Sequence, residues 1–239
     1  MKNLGTKEFK QVLQERNKFI KFGLVPYSEK INGWIGGNIP KYFLSEKDFI
    51  ESNSDNYYFY LSLINPFDVS RMFSVFLPKD WEKIVDCMIY KHKNCSIIIK
   101  EHIASEESDC NKFTNNNWIK HGISKGILLD NFIVEDDGGD EASYYVNNNV
   151  ISEDEAFDKY INYFIKFGGT PYIVHDENYH EDALNKYGLE LLFQICESLY
   201  CNKFLIEGTG YPFGLGEAYI YANTNDTNIK NLCFGYWIN

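Results

Sequence analysis

Short runs of β-branched and aromatic residues, separated by polar connections, dominate the hydrophobic pattern of this 239-residue chain. Runs of this kind are typical of β-strands. They predict strands at 57–64, 72–77, 96–103, 126–134, 189–196, 203–207, 217–222 and 232–238. Because helical patterns are few, we expect either a β-rich α+β fold with mainly antiparallel sheets and a few peripheral helices, or a β-sandwich.

Three segments instead place apolar residues at the spacing of amphipathic helices. They cover about 7–22, about 80–92 and the residues that follow Ser152. The last is the clearest, because Ser152 and Glu155 form a capping box and apolar residues continue at helical spacing to Ile165. The expected ends of the first and last helix are Gly23 and Gly168.

One internal similarity joins the start of the chain to its second half. The segments NKFIKFGLVPY (17–27) and NYFIKFGGTPY (162–172) are identical at eight of eleven aligned positions, with an offset of 145. This offset preserves only one junction between a helix and a turn. We interpret it as the same helix exit used twice, or partly as chance.

A second offset, of 132, preserves a longer unit. It superposes the Gly-Gly pair at 36–37 on the pair at 168–169, and the apolar segment 58–64 on 190–196. Adjacent glycines permit a backbone conformation that other residues avoid, so a Gly-Gly turn before a strand is a structural signature. We therefore expect one domain of two pseudo-repeats joined by an acidic connecting segment, with boundaries at about 1–104, 151–239 and 105–150.

Several of these stretches also carry a family resemblance. They are FGGTPYIV (167–174), LELLFQICES (189–198), GTGYPFGLGEAYIYA (208–222) and, more weakly, WIGGNIP (34–40) with YYFYLSLINPF (57–67). Together they resemble the YwqG-like family of bacterial proteins, which are largely uncharacterised. The resemblance implies a duplicated, β-rich α+β fold and an occasional genomic association with toxin–immunity loci. It supplies no catalytic residues, and the family's Trp-Gly-Asp cluster is replaced here by Glu-Gly-Thr-Gly at 207–210.

Charge is distributed unevenly along the chain. Of the formal net charge of −11, residues 101–160 carry −10, because they hold fourteen acidic and four basic residues. Such a field repels nucleic acids and membrane surfaces and attracts basic partners. We expect exposed segments at 104–118 and 135–142, and partner-binding residues within the second: Glu135, Asp136, Asp137, Asp140 and Glu141. A solvated linker is the alternative interpretation.

Motifs for catalysis or cofactor binding are weak. His175 and His180 are five residues apart on a predicted loop, a spacing that suits neither a helical nor a strand zinc site. The glycine-rich turn at 208–216 contains no lysine and precedes a strand, which differs from a phosphate-binding loop. The six cysteines form no CxxC pair, so we expect free thiols. We expect no cofactor and no metal. Since the N-terminus lacks the features of a signal peptide, we expect a cytoplasmic protein.

These observations lead to three functional hypotheses. The first is a non-catalytic protein-binding protein, a bacterial immunity protein or antitoxin that neutralises a basic cognate toxin through its acidic surface. The second is a small-ligand or peptide-binding domain with its site at the seam of the repeats, around Gly168, Gly169, Tyr172 and Tyr211. The third is an unrecognised hydrolase built around His175 or a cysteine.

Overall fold

The computed structural model describes residues 11, 13–16, 18–28, 32–80, 97–130, 151–156, 163–171, 185, 188–197, 217–222 and 232–237. Within this part, twelve strands form: β1 (Lys18–Phe22), β2 (Leu24–Pro26), β3 (Gly33–Ile35), β4 (Tyr57–Ile64), β5 (Arg71–Pro78), β6 (Ile98–Ile103), β7 (His121–Ile123), β8 (Ile127–Asp130), β9 (Ile165–Gly168), β10 (Glu190–Cys196), β11 (Glu217–Ala222) and β12 (Leu232–Trp237). Residues 11 and 13–15 are helical, and the further helical elements are a 3-10 helix (Lys41–Ser45), α1 (Lys47–Asn53) and α2 (Glu153–Ala156).

The strands form two six-stranded sheets. The N-terminal sheet has the order β2-β7-β3-β4-β5-β6, and the C-terminal sheet has the order β8-β1-β9-β10-β11-β12. All pairings between named strands are antiparallel. A shared apolar core lies between the sheets, with Leu61 and Phe73 from one and Phe167 and Phe193 from the other. The predicted β-rich fold with mainly antiparallel sheets is therefore confirmed.

The two sheets are built from the same sequence of strands. Strands β3–β6 form an antiparallel meander in the N-terminal sheet, and β9–β12 form the same meander in the C-terminal sheet. The first strand of each half crosses over: β1 pairs with β9 in the C-terminal sheet, and β7 pairs with β3 in the N-terminal sheet. Each of the strands β1–β6 thus has an equivalent in the strand six places later in the chain. The first strands of the two halves, β1 and β7, are exchanged, because each lies in the sheet that contains the meander of the other half.

Local irregularities repeat at the offset of 132. The β4–β5 register shifts between Phe59 and Leu61, and the β10–β11 register shifts between Leu191 and Phe193. The Gly-Gly pair at 36–37 has φ values of 69° and 74°, and the pair at 168–169 has φ values of 73° and 71°. Only glycine adopts this backbone conformation without strain. The two-half architecture inferred from this offset is confirmed.

The first predicted helix is wrong over its C-terminal half. Residues 11 and 13–15 are helical, but Arg16 has a φ of 51° and β1 begins two residues later. In the predicted helix, Phe19 and Ile20 lie on the same face. In β1 their side chains point to opposite faces of the sheet, and both are buried. Pairing with β8 and β9 outweighs the helical periodicity of this segment.

The helix predicted after Ser152 is correct only at its start. The capping box forms, since the Glu155 amide donates to the Ser152 hydroxyl and the Ser152 amide donates to the Glu155 carboxylate. Ile165, however, begins β9, and Gly168 ends that strand rather than a helix. The aromatic and β-branched residues of β9 are buried between β1 and β10, where strand pairing satisfies the backbone. The helix predicted at about 80–92 lies outside the described residues, apart from Asp80.

The segment 104–118 is packed, which corrects the expectation that it is exposed. Phe113 and Ser108 are buried, and the Phe59 amide donates to the Phe113 carbonyl at 2.8 Å. The Ser108 hydroxyl donates to the Ile39 carbonyl, so its polar group is satisfied internally. Strands β7 and β8 follow within the segment assigned to the connection at 105–150, and each belongs to a sheet. The acidic residues of 131–150 lie outside the described residues.

Candidate functional site

The structure describes only part of the residues that were predicted to bind partners or ligands. Gly168 and Gly169 are buried at the end of β9, where the carbonyl oxygen of Lys18 would lie 3.5 Å from a Cβ at Gly168. Outside the described residues lie Glu135, Asp136, Asp137, Asp140, Glu141, Tyr172, Tyr211, His175 and His180. Those assignments stay predictions.

A cleft of about 390 Å³ opens on the outer face of the N-terminal sheet, the face turned away from the other sheet. Trp34, Ile64 and Met72 contribute to it from β3, β4 and β5, and the remaining lining residues are Tyr27, Asn32, Gly33 and residues 104–107. Its volume falls within the range of small-ligand pockets. The cleft offers an apolar floor with carboxylates at its rim.

An ionic cluster fixes one side of this cleft. The Glu107 carboxylate accepts hydrogen bonds from the Tyr27 hydroxyl at 2.5 Å and from the Asn38 amide at 2.8 Å, and it pairs with Lys120. The Lys120 ammonium also lies 3.4 Å from the centre of the Tyr27 ring. Burial, followed by the hydrogen bond to Glu107, raises the pKa of Tyr27. Glu107 is thus fully engaged in holding the cleft together.

A buried hydrogen-bonded chain lies on the same sheet, in the strand positions next to the cleft floor. The His102 Nδ1–H donates to the Ile103 carbonyl at 2.8 Å, so Nε2 accepts from the Ser74 hydroxyl at 2.7 Å. The Ser74 hydroxyl in turn accepts from Ser62 at 2.6 Å. Burial lowers the pKa of His102 to about 4, which keeps the ring neutral. Although a serine–histidine pair can act in nucleophilic catalysis, all three side chains are at most 1% exposed, and no substrate reaches them in this conformation.

The C-terminal sheet carries a polar cluster at the corresponding positions. Glu217 accepts hydrogen bonds from the Cys196 thiol at 3.2 Å, from the Tyr219 hydroxyl at 3.0 Å and from the Gln194 amide. Burial raises the pKa of Glu217, and the charge of Lys166 opposes that shift. Because β9, β10 and β11 each contribute a side chain, the cluster joins three strands through buried polar contacts.

The two outer faces have diverged at equivalent positions. Lys166 and Cys196 correspond to Trp34 and Ile64 at the offset of 132. Cys196 lies opposite Glu217 in the strand pairing. The register of this pairing is the same as the register around Trp34 and Ile64 in the other sheet. Positions that form the aromatic and aliphatic floor of the cleft in one half therefore belong to a charged, buried network in the other half. The cleft is a property of the N-terminal sheet alone among the described residues.

Among the described strands, β8 lies at one edge of the C-terminal sheet. It pairs with β1 on one side, and no described strand pairs with the other side. Ile127 is 55% exposed and Leu128 is 56% exposed. Of the edge strands whose side chains are described (β2, β6 and β8), only β8 has two adjacent apolar residues that are more than half exposed. Such edges are templates for pairing with another chain.

Sequence reasoning missed both surfaces for different reasons. The cleft joins residues that are distant in the sequence, such as Trp34, Met72 and Glu106, so no local pattern marks it. The edge had a signal, because the predicted strand 126–134 leads directly into the acidic loop at 135–142. Within the described part of the chain, no helix is long and apolar enough to cross a membrane. No cluster of three potential metal ligands occurs there either.

Comparison of the chain with profiles of known protein families and with curated proteins finds no match. The resemblance to the YwqG-like family therefore rests on the sequence motifs alone.

Proposed function

We propose that this chain is a non-catalytic protein-binding protein, a cytoplasmic bacterial immunity protein that neutralises a basic toxin by binding it. The observation that carries the proposal is β8, an edge strand among the described strands, in which Ile127 and Leu128 are both more than half exposed. In the sequence, residues 131–134 separate this strand from the acidic segment 135–142. An apolar contact strip and a concentrated negative charge are thus close together along the chain.

Each feature has a separate physical role in binding. The negative charge of residues 101–160, −10 in total, attracts a basic protein over distances of about one Debye length, roughly 8–10 Å at physiological salt. This attraction raises the association rate and selects against acidic partners. The exposed side chains of β8 are then buried on contact, which slows dissociation.

The charge also indicates which occupant fits the edge. A second copy of the chain would bring another net charge of −11 to the same surface, and like charges that face each other oppose association. A basic toxin that acts on nucleic acids has the opposite charge. The resemblance to a family associated with toxin–immunity loci supports the same partner class.

Co-expression with the product of the neighbouring gene tests this proposal. We expect that product to be toxic alone, harmless with this chain present, and bound in a complex that weakens as salt increases. Neutralising the predicted contacts should reduce the association rate; the variants are Glu135→Gln, Asp136→Asn, Asp137→Asn, Asp140→Asn and Glu141→Gln. A matched control neutralises five acids elsewhere: Glu15→Gln, Asp48→Asn, Glu51→Gln, Asp55→Asn and Asp80→Asn.

The proposal fails if the neighbouring product is harmless alone or if no complex forms at low salt. It also fails if the control variant slows association as much as the variant at 135–141, because the effect would then reflect net charge only. Circular dichroism melting of both variants verifies that each remains folded.

A second candidate function follows from the cleft. Its volume of about 390 Å³ and its floor of Trp34, Ile64 and Met72 favour a small-ligand or peptide-binding domain, although at a different place from the predicted seam. Ala104 lines the cleft, so Ala104→Trp should fill it. Fragments that bind the wild-type chain by ligand-observed NMR should lose binding to this variant. If the same fragments bind both, the cleft is not their site. The third hypothesis, a hydrolase built around His175 or a cysteine, stays a prediction from the sequence.

A further inference from the structure

We propose that a basic, extended segment of the partner protein adds to β8 as a seventh strand of the C-terminal sheet. The inference rests on the proposed function and names the chemistry of the partner segment: Lys or Arg residues alternating with apolar residues. Strand addition provides affinity through main-chain hydrogen bonds and specificity through alternate side chains.

The exposure of β8 on both faces is the first argument. Ile127 and Leu128 are consecutive in a strand, so their side chains point to opposite faces of the sheet. They lie opposite Lys21 and Ile20 of β1. Their exposed fractions are 55% and 56%, so the strand presents apolar surface on both faces of the sheet. An added strand would place a cross-strand neighbour beside each of them.

The corresponding edge of the other sheet is the second argument. Strand β2 occupies in the N-terminal sheet the place that β8 occupies in the C-terminal sheet. Pro26 and Leu128 occupy equivalent positions. Pro26 aligns across the sheet with Ile35, two strands away, and Leu128 aligns in the same way with Phe167. Ile35 and Phe167 are themselves equivalent, because they are 132 residues apart. Proline has no amide hydrogen and is confined to edges that face solvent. The edge at β2 is therefore closed to strand addition at this position, whereas β8 has leucine there.

The chemistry of the added segment follows from its surroundings. Residues 101–160, the part of the sequence that contains β8, carry a net charge of −10. Basic residues are attracted to this field, and apolar surface is needed beside Ile127 and Leu128. In an extended segment in which the two residue types alternate, the apolar residues lie beside one of these side chains, and the aliphatic stems of the basic residues lie beside the other.

A synthetic peptide provides the probe, since the natural segment is not identified. We would use a capped nonapeptide of alternating valine and lysine, and an analogue of the same sequence in which every backbone nitrogen is methylated, so that neither edge can donate a hydrogen bond. Both carry the same charge, but the methylated peptide cannot pair on a strand edge. We expect the plain peptide to bind the full chain and to slow amide hydrogen exchange at 127–130. The methylated analogue should bind about tenfold more weakly.

Variants of the edge separate strand pairing from attraction by charge. Ile127→Glu and Leu128→Glu each add a negative charge, so electrostatics alone would strengthen peptide binding. Strand addition predicts instead that binding weakens by about fivefold or more, because apolar contact is lost. Val69→Glu is the matched control, because Val69 is 74% exposed and distant in sequence. Leu128→Pro copies the closed edge of β2 and should also abolish protection of these amides.

Three outcomes would overturn the inference: no binding of the plain peptide, equal affinity for the methylated analogue, or identical behaviour of the Leu128→Glu and Val69→Glu variants. Concentration-dependent dimerisation that Leu128→Glu abolishes would also overturn it, since a second copy would then occupy the edge. If the peptide pairs with β8 but neutralising 135–141 leaves its salt dependence unchanged, strand addition stands and the acidic surface of the proposed function fails. The methylated peptide tests the wild-type chain, so the result does not depend on a variant folding.

Discussion

Lys21 of β1 and Lys166 of β9 lie directly opposite each other in the C-terminal sheet. They are the same lysine of the two FIKFG segments that the sequence repeats at the offset of 145. The two similar segments are interpreted from the sequence as the same helix exit used twice. In the structure they form a pair of neighbouring antiparallel strands. Like charges placed opposite each other destabilise a sheet, so one of these lysines needs compensation.

Lys166 receives that compensation. It is 4% exposed, its ammonium donates to the Thr170 carbonyl, and it lies 4.5 Å from the centre of the Phe19 ring. Lys21 is only half-buried. We expect Lys166→Ala to lower the free energy of unfolding by about 1–2 kcal/mol more than the matched Lys21→Ala. Urea unfolding of both variants measures the difference, and equal losses would contradict this interpretation.

His102 should make the protein sensitive to mild acid. Its pKa is about 4 in the folded chain against 6.5 in the unfolded chain, so only the unfolded state takes up a proton between these values. The contribution of His102 to the free energy of unfolding is fully present above pH 6.5. It decreases as the pH falls towards 4, by up to about 3 kcal/mol. His102→Asn should remove this part of the slope. Denaturant midpoints at several pH values measure it, and an unchanged slope in the variant would refute the assignment.

Glu190 should have the opposite dependence on pH. Burial raises the pKa of Glu190 to about 7 despite the nearby Arg16, whereas its ordinary value is 4.5. Ionisation is therefore costly in the folded state, and stability is lost as the pH rises from 4.5 through 7. We expect Glu190→Gln to be about 1 kcal/mol more stable than wild type at pH 8 and close to wild type at pH 4.5. A variant that is less stable at pH 8 would contradict this account.

Gly33 should not tolerate a side chain. A Cβ at this position would overlap the backbone carbonyl of Ser62, which belongs to the paired strand β4 and cannot move aside like a side chain. We expect Gly33→Ala to destabilise the fold by about 2 kcal/mol or more. Gly188→Ala is an informative comparison, because no atom lies within 4 Å of its Cβ and only the positive φ of 61° opposes it. Thermal melting should therefore rank Gly33→Ala as the less stable variant.

The sequence predicted the elements whose signal is local. Strand β4 matches the predicted 57–64, and β11 matches the predicted 217–222, because each is a continuous run of aromatic and aliphatic residues. The duplication was also visible, since the Gly-Gly turn at 36–37 and its copy require the same backbone conformation. These features depend on residues that are close together in the chain.

The features that the sequence did not predict depend on pairing across the chain. Strand β1 reads as a helix until its pairing with β8 and β9 is known. The exchange of β1 and β7 between the sheets leaves no local trace, because both strands are short and their partners are distant in sequence. The packed segment 104–118 has the composition of a polar loop, but its Ser105 and Ser108 hydroxyls bond to backbone groups that are distant in the sequence, those of Tyr42 and Ile39.

The central claim is that β8 and the acidic segment after it bind a basic protein. The most direct measurement is amide hydrogen exchange of the full chain with and without the product of the neighbouring gene. The account predicts slowed exchange at 127–130, with the residues of the cleft at 104–107 unchanged. Slowed exchange at 104–107 without any change at 127–130, or the absence of a complex at low salt, would contradict it.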